Sequence, residues 1–210
     1  MKIFLIRHGE TIANIGDNYI SRIPDQLVPL TENGILQANA AGEWLADYCA
    51  RKNISFKNAC IWRSPYLRAR QTSDQFNKYL CIDNVREDVT LVEQQYGLFD
   101  AIPEKEWESR FPVEYAECKR QWDNAGKFYL RLPNGESPFD VALRVRQFIG
   151  TIKRDSADTL FVFTHGTALR CFLLRWFYYP PEWFEKEKNP KNCWIRLVED
   201  ELDMGYIYNE

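Results

Sequence analysis

The sequence predicts an α/β fold: a mostly parallel sheet covered by helices on both faces, with an antiparallel edge strand and a small helical cap insertion. Short apolar runs alternate with stretches whose apolar residues recur every three or four positions, which indicates alternating strands and helices. One long stretch breaks this alternation and is rich in aromatic and charged residues. With 210 residues, 45% of them hydrophobic, the chain can bury one substantial core.

The strands are predicted from apolar runs that end in polar residues or glycine. The candidates are residues 2–6, 59–62, 159–163 and 194–198. Residues 204–208 follow the last of them closely and are expected to form an antiparallel edge partner. Since the other strands are separated by helical stretches, they are expected to be parallel and buried on both faces.

Four helices are predicted from capping residues and periodicity. Thr31 is expected to cap the first helix, and Ser64, with Pro65 at the first helical position, the second helix, which runs toward Leu80. The apolar positions of the first helix are Ile35, Ala38, Ala41, Leu45 and Tyr48. A third helix carries Phe139, Ala142, Val145, Ile149 and Ile152 on one face, and a fourth begins after Gly166 and carries Leu169, Phe172 and Leu173.

The helical pattern loosens over about residues 94–135, which we call the cap. Its aromatic residues stand among many charges: Tyr96, Phe99, Trp107, Phe111, Trp122, Phe128 and Tyr129. This composition fits a small helical insertion over the carboxyl edge of the sheet. The aromatic residues either line a substrate pocket or pack the cap itself, as large apolar side chains usually do. We expect a single domain over residues 1–210, with the cap as an insertion.

The composition argues against several classes of protein. A formal net charge of −3 gives no general attraction to nucleic acid or to an anionic membrane. The apolar run before Arg7 is too short for a signal peptide or a membrane span, so a cytoplasmic location is expected. The cysteines are scattered and are expected to be reduced, with no metal site among them: Cys49, Cys60, Cys81, Cys118, Cys171 and Cys193.

The two histidines of the chain each precede a glycine at the end of a predicted buried strand. They are His8, which follows Arg7, and His165. Residues at the carboxyl ends of parallel strands emerge into a common crevice, so we expect both imidazoles in one site. A neutral imidazole is a good nucleophile near neutral pH. The ordinary role of a single histidine is structural; the repeated pattern favours function.

Two further side chains have both a functional and an ordinary interpretation. Arg68 falls on the first turn of the predicted second helix, where its guanidinium and the free backbone amides would form an anion site. Alternatively, Arg68 and Arg70 face water. Glu93 stands in an otherwise apolar or amide-rich stretch and is a candidate general acid. Alternatively, it is a solvated loop residue.

The motifs follow one another in a fixed order along nearly the whole chain. They are Arg7-His8-Gly9-Glu10-Thr11 with Asn14, Leu30-Thr31 with Gly34 and Gln37-Ala38, Ser64-Pro65 with Arg68-Ala69 and Gln71-Thr72, Glu93, Gly135-Glu136-Ser137, and Thr164-His165-Gly166. In this combination the chain resembles the histidine phosphatase superfamily, in its phosphoglycerate-mutase-like branch.

The resemblance implies a three-layer α/β/α sandwich and a two-step phosphoryl transfer that uses neither a metal nor a cofactor. His8 would attack phosphorus and become phosphohistidine, while Glu93 would protonate the leaving group and then accept a proton from the hydrolytic water. The phosphate oxygens would be held by Arg7, Asn14, Arg68 and His165, and by Gly166 and Thr167 through the backbone amide that follows Gly166. Glu136 is not expected to be catalytic, since Ser137 and Asp140 beside it suit the start of a helix.

The resemblance implies either a phosphoric monoester hydrolase of the histidine acid type or a phosphoglycerate mutase. In the family, a mutase uses basic residues immediately after the catalytic glutamate to hold the second acidic group of its substrate. Here Gln94 and Gln95 take the positions of that Arg-His pair. We therefore expect a phosphatase that acts on a phosphorylated small molecule. Mutase is the alternative, since Lys119 and Arg120 in the cap could restore a second anion site.

A third hypothesis is a catalytically silent module that binds a phosphorylated ligand or a partner. The presence of every residue that the chemistry needs argues against it. The sequence specifies neither the substrate nor the oligomeric state. Arg22 either reaches the far end of a substrate or faces water, and the edge strand near residues 204–208 either pairs with a partner or faces water.

Overall fold

A computed structural model describes residues 1–15 and 23–209 and confirms the predicted fold class, a mostly parallel sheet with helices on both faces. The strands are β1 (Lys2–Arg7), β2 (Ala59–Arg63), β3 (Val85–Glu87), β4 (Thr159–Thr164), β5 (Ile195–Glu199) and β6 (Leu202–Tyr208). Their order in the sheet is β3-β2-β4-β1-β5-β6. Arg22 lies outside the described residues.

The four strands at one side of the sheet are parallel, and the last two are antiparallel. β4 pairs in parallel with both β1 and β2, and β2 pairs in parallel with β3. β6 runs antiparallel to β5, as the sequence predicted. β5 also runs antiparallel to β1, so the expectation that every strand except the last is parallel is wrong for β5. β3 was not predicted, because it has only three residues and all three are exposed, so it lacks the apolar run of a buried strand.

The helices form layers on both faces of the sheet. They are α1 (Glu32–Arg51), α2 (Leu67–Leu80), α3 (Glu104–Arg110), α4 (Pro112–Ala125), α5 (Pro138–Ile152), α6 (Gly166–Trp176) and α7 (Pro181–Lys186). Alternate side chains of β1 point to opposite faces: Phe4 and Ile6 pack with α1 and α2, and Ile3 and Leu5 with α5 and α6. The catalytic candidates are thus attached to a core that is packed on both sides.

Two of the three predicted helix caps are correct. The side chain of Thr31 accepts a hydrogen bond from the amide of Gly34 at 2.9 Å. Ser137 and Asp140 form a reciprocal capping box at the start of α5. Ser64 is not a helix cap: its amide donates to Phe163 O at 2.9 Å and so continues the hydrogen bonding of the sheet, and α2 begins only at Leu67.

The cap contains α3, α4 and two short 3-10 turns, Gly97–Phe99 and Lys127–Tyr129. A further 3-10 turn, Val89–Leu91, precedes it. It has a small apolar cluster of its own, formed by Phe99, Cys118 and Leu132. Phe99 stacks on Trp107 with 4.4 Å between ring centroids. The packing interpretation therefore holds for Phe99, but both Phe99 and Trp107 also line the larger cavity of the candidate site, and Trp107 lines a second cavity as well.

The two ends of the cap are joined to each other. The amide of Glu136 donates to Gln95 O at 2.8 Å, and the amide of Gln95 donates to the Glu136 carboxylate at 3.0 Å. The side chain of Gln94 donates to Glu136 O at 2.8 Å. The chain therefore enters and leaves the cap at one place. That the chain is a single domain, with an insertion over about residues 94–135, stays a prediction.

The cysteines are all free thiols; five are buried and Cys81 is exposed. None of the described helices has the length and apolar character needed to cross a bilayer. Among residues 1–15 and 23–209, no group of three or more histidine, cysteine or acidic side chains is arranged to hold a metal ion.

Candidate active site

The pairing of β1 with β4 brings the two histidines together. Arg7 lies opposite Thr164 in the parallel register, so the next residue of each strand, His8 and His165, leaves the sheet at the same level. The amide of His8 donates to Thr164 O at 3.0 Å, which continues this pairing by one residue. The imidazole centroids are 5.1 Å apart. Strands from the two ends of the chain thus contribute to one site.

Gly9 is required by a close approach between the loop after β1 and the start of α1. A Cβ atom at Gly9 would lie 2.6 Å from Gly34 O, and a Cβ atom at Gly34 would lie 2.1 Å from Glu10 O. Gly9 is not among the glycines with positive φ, so close contact rather than an unusual turn explains it. The same loop is held by Thr72 Oγ1, which accepts from the Gly9 amide, and by Gln37 Oε1, which accepts from the Glu10 amide, each at 3.0 Å.

The His8 side chain is oriented as a nucleophile. It is 4% exposed, and its Nδ1 lies 2.7 Å from Gly9 O. Because a carbonyl oxygen can only accept, Nδ1 carries the proton and Nε2 keeps its lone pair. Burial, together with the positive charges of Arg68 and Arg7, lowers the pKa of His8 well below 6.5. The imidazole is therefore neutral and ready to attack an electrophile near neutral pH.

His165 is fully buried and makes hydrogen bonds through both ring nitrogens. Arg68 Nε donates to His165 Nδ1 at 3.3 Å, so Nε2 carries the proton and donates to Ser64 Oγ at 2.9 Å. Burial, and after it the charge of Arg68, lowers the pKa of His165 well below 6.5. His165 is therefore neutral near neutral pH.

Two arginines supply the positive charge of the site. Arg7 is half-buried, and its Nη1 donates to Pro190 O at 2.6 Å; partial burial lowers the pKa of Arg7. Arg68 lies on the first turn of α2 and is 4% exposed, so the alternative in which it faces water is wrong. Its guanidinium is bound by Asp25, which stands in a 3-10 turn, Asp25–Leu27.

The Glu93 carboxylate is held from two sides. Its Oε1 accepts from the Gln94 amide at 2.9 Å, and its Oε2 accepts from the Thr167 amide at 3.3 Å, on the first turn of α6. That amide, expected from the resemblance to hold phosphate, here orients the candidate acid. The loop is fixed by Arg144, whose five N–H groups donate to Thr90 O, Val92 O, Glu93 O and both carboxylate oxygens of Glu136.

Asn14 lies at the mouth of the site, beside the loop that carries His8. Its Oδ1 accepts from the amide and hydroxyl of Thr11, at 3.0 and 3.1 Å, and from Asn192 Nδ2 at 3.1 Å. With its oxygen occupied in this way, the group of Asn14 that can donate to a phosphate is the side-chain nitrogen.

These side chains surround a cavity of about 410 Å³. The predicted site residues that line it are Arg7, His8, Asn14, Arg68, Glu93, Gly166 and Thr167. His165 is fully buried and is not among the lining residues, although it contacts Arg68 and lies next to His8. A second cavity of about 370 Å³ under the cap shares Tyr96, Trp107 and Asn189 with the first. Lys119 lines this second cavity, whereas Arg120 pairs with Glu117 at 2.7 Å on the exposed side of α4.

Sequence reasoning missed several residues of the site. Asp25 and Asp100 line the first cavity, and Arg144 fixes the loop of Glu93. Ser64 was predicted as a helix cap, and its Oγ instead accepts a hydrogen bond from His165 Nε2. An isolated aspartate in a loop and an arginine on a helix carry no motif, so only the folded chain reveals their partners.

The arrangement can bind a dianion and transfer a group from it. Two guanidinium groups, a neutral imidazole whose free nitrogen can act as a nucleophile, and the carboxyl group of Glu93 line one cavity. Phosphoryl transfer needs these parts: positioned cations, a nucleophile and a proton donor.

Comparisons with known proteins agree on one family. The family model described as histidine phosphatase superfamily, branch 1, matches residues 3–204. A phosphoglycerate mutase-like protein of Arabidopsis thaliana is 34% identical, over 94% of this chain and 73% of its own length. A broad-range acid phosphatase of Saccharomyces cerevisiae is 24% identical, over 98% of this chain and 87% of its own length. The crystal structure of the alpha-ribazole phosphatase of Shigella flexneri has the same fold, with a TM-score of 0.76, 22% identity and coverage of 100% and 96%.

Proposed function

This chain belongs to the histidine phosphatase superfamily, branch 1, and on that premise we propose that it is a phosphatase that hydrolyses phosphomonoesters through a phosphohistidine on His8. The observation that carries the proposal is the fixed tautomer of His8. Its Nδ1–H is tied to Gly9 O at 2.7 Å, which directs the lone pair of Nε2 to phosphorus. Arg7, Arg68 and Asn14 are proposed to stabilise the charge on the phosphate oxygens, whereas the amide of Thr167 donates to Glu93.

Glu93 is proposed as the general acid and then the general base. Its carboxyl group lines the same cavity as His8 and is held at the start of α6. In the first step it gives its proton to the leaving oxygen as the bond between phosphorus and that oxygen breaks. In the second step it takes a proton from the water that attacks phosphohistidine, which regenerates neutral His8 and releases phosphate.

The charges of the described cavity favour hydrolysis over a mutase reaction. A phosphoglycerate carries a carboxylate near its phosphate, and this carboxylate would face Asp25, Asp100 and Glu104, which line the cavity. Gln94 and Gln95, in place of the two basic residues of mutases, bond instead to Glu136 O and Tyr66 Oη, both at 2.8 Å. Mutase remains the second candidate because Lys119 lines the adjoining cavity.

The proteins that resemble this chain support an activity on phosphate groups. One is named a broad-range acid phosphatase and another a phosphoglycerate mutase-like protein. The substrate is proposed to be a phosphorylated small molecule whose leaving group occupies the second cavity, beside Trp107 and Trp122. The chemistry is proposed to need no metal ion, and turnover in the presence of a chelator would test this.

The first test is turnover of p-nitrophenyl phosphate by the purified chain. We expect hydrolysis, and a loss of at least about a thousand-fold in His8→Ala, because the nucleophile is removed. Acid-free quenching with radiolabelled substrate should trap the label on His8 and on no residue of the variant. Absence of label in the wild-type chain would contradict the phosphohistidine step.

A second test separates the two candidate reactions. The chain is incubated with 3-phosphoglycerate and its bisphosphate, and the products are separated. Free phosphate is the product expected of a phosphatase. Accumulation of 2-phosphoglycerate would instead establish the mutase reaction.

A further inference from the structure

Asp25 occupies most of the hydrogen-bonding capacity of Arg68. Arg68 Nη1 donates to Asp25 O at 2.6 Å and to Asp25 Oδ1 at 2.9 Å, and Nη2 donates to Asp25 Oδ2 at 3.2 Å. Arg68 Nε donates to His165 at 3.3 Å. A guanidinium group has five N–H bonds, so these four contacts leave one N–H for any other acceptor.

The contact of Asp25 with Arg68 has the form in which arginine binds phosphate. Two oxygens of one planar anion meet the two terminal nitrogens of the guanidinium group, as two oxygens of a phosphate would. Asp25, Arg68 and His8 line the same cavity. The carboxylate of Asp25 therefore occupies the guanidinium group of Arg68, which a bound phosphate would also need.

The charge of Asp25 also bears on the cavity as a whole. It neutralises the buried guanidinium group of Arg68, which leaves the half-buried Arg7 as the other arginine among the described residues that line the cavity. The pKa of Asp100 is raised, first by burial and then by the negative charge of Asp25. A dianion that enters this cavity therefore meets a carboxylate that already holds Arg68 and repels further negative charge.

We propose that Asp25 competes with phosphate for Arg68 and so sets the affinity of the site for phosphate groups. Binding of a phosphomonoester or of orthophosphate transfers N–H bonds of Arg68 from Asp25 to the phosphate oxygens. Part of the binding free energy is used to separate the Asp25–Arg68 pair. This weakens the hold on the substrate and also on the released product. The inference rests on one part of the proposed function, namely that a phosphate group binds in this cavity.

The test is the affinity for orthophosphate, measured by calorimetry, which requires no turnover. Asp25→Asn keeps the shape of the side chain and removes its charge. We expect orthophosphate to bind about tenfold more tightly than to the wild-type chain, since a contacting charge pair couples with this order of strength. An unchanged or weaker affinity in a folded variant would overturn the proposal, because it would make Asp25 a support for Arg68 rather than a competitor.

Asp100→Asn is the matched control, because Asp100 lines the same cavity as Asp25. Within the described residues, no hydrogen bond joins Asp100 to Arg68. We expect the change that Asp100→Asn causes in the logarithm of the orthophosphate affinity to be less than half of the change that Asp25→Asn causes. Equal effects would overturn the proposal in favour of general repulsion. Asp47→Asn, on the exposed side of α1, should leave the affinity unchanged.

Folding is followed by circular dichroism and thermal unfolding. Asp25→Ala serves as the second variant and should also bind orthophosphate more tightly. Loss of folding in both variants would overturn the proposal, since Asp25 would then be a structural residue. If the variants bind orthophosphate more tightly while the wild-type chain hydrolyses no phosphomonoester, the proposed function fails and this inference stands.

Discussion

The two walls of the candidate active site are built in different ways. One wall, the strand-end wall, consists of residues that follow β1, β2 and β4, among them His8, Arg68 and His165, which are at most 4% exposed. The other wall belongs to the cap, whose own buried cluster contains only three of the described residues. Within the cap, Trp122 is 40% exposed and Tyr129 is 47% exposed.

The difference separates chemistry from selectivity. Reacting groups must be held within a fraction of an ångström, and residues on a core that is packed on both faces meet this demand. A wall with little buried apolar surface opens at a lower cost in free energy and tolerates changes of sequence. We therefore expect changes in the strand-end wall to alter the reaction itself, and changes in the cap to alter the choice of substrate.

Glu93 stands where the two walls meet and gives the sharpest test of this division. We expect Glu93→Gln to slow hydrolysis of alkyl phosphates by about 10²- to 10⁴-fold, the usual contribution of a general acid. The loss should be much smaller for p-nitrophenyl phosphate, whose leaving oxygen is weakly basic. The measurement is kcat/KM of both substrates for the variant and the wild-type chain. Equal losses would contradict the role of Glu93 as an acid and leave it a structural part of the cap junction.

Two buried phenylalanines compare the packing of the walls directly. Phe163, in β4 next to the active site, is fully buried and packs on Phe76 with 5.1 Å between centroids. Phe99 is the buried phenylalanine of the cap cluster and is 1% exposed. We expect Phe163→Ala to lower the free energy of unfolding by about 3–5 kcal/mol. Phe99→Ala should lower the global value by less, because the cap can open locally while the sheet stays folded.

Urea unfolding measures the first effect, and hydrogen exchange of cap amides measures the second. After Phe99→Ala, exchange should increase in residues 96–132 and stay unchanged in β1 and β4. A loss of global stability by Phe99→Ala as large as that by Phe163→Ala would show that the two walls unfold as one unit, and the comparison would then fail.

The contribution of one buried histidine to the pH dependence of stability is the smallest expected effect, and it reports on the strand-end wall. The pKa values of His8 and His165 are lowered in the folded chain, whereas an unfolded imidazole has a pKa near 6.5. Below that pH the unfolded chain binds protons that the folded chain does not. Stability is therefore complete above about pH 6.5 and falls as the pH decreases, by up to about 1.4 kcal/mol per pH unit for each histidine.

The measurement is the free energy of unfolding between pH 5 and 8, for the wild-type chain and for His165→Asn. The difference between the two curves isolates His165 from the acidic residues. It should grow as the pH rises through 6.5 and then level off. A difference that does not depend on pH would mean that the pKa of His165 is the same in the folded and unfolded chains, which would contradict the lowered pKa.

Sequence reasoning succeeded where local patterns carry the information. Apolar runs identified the strands that meet at the site, and the position of β1 beside β4 follows from two buried strands that each end in a histidine. Thr31 and Ser137 were recognisable as caps, because a helix start needs a side-chain acceptor next to its free amides. These features depend on a few neighbouring residues.

The same reasoning failed where a residue acts across the fold. Nothing near Asp25 in the sequence indicates that it will meet Arg68, 43 positions away. Arg144 resembles any exposed residue of an amphipathic helix, yet it binds the loop of Glu93. Ser64 has the sequence environment of a helix cap, and only the extension of β2 pairing to its amide changes its role. Such partners are set by tertiary packing.

The joined ends of the cap make it a replaceable module. Gln95 and Glu136 are linked by two backbone-directed hydrogen bonds, so the intervening chain starts and finishes at a single anchor above the sheet. Relatives can therefore gain, lose or exchange residues in that stretch, provided that the contact between Gln95 and Glu136 is kept. In a family with such an architecture, exchange of this one continuous segment can change the choice of substrate, while the residues of the strand-end wall stay unchanged.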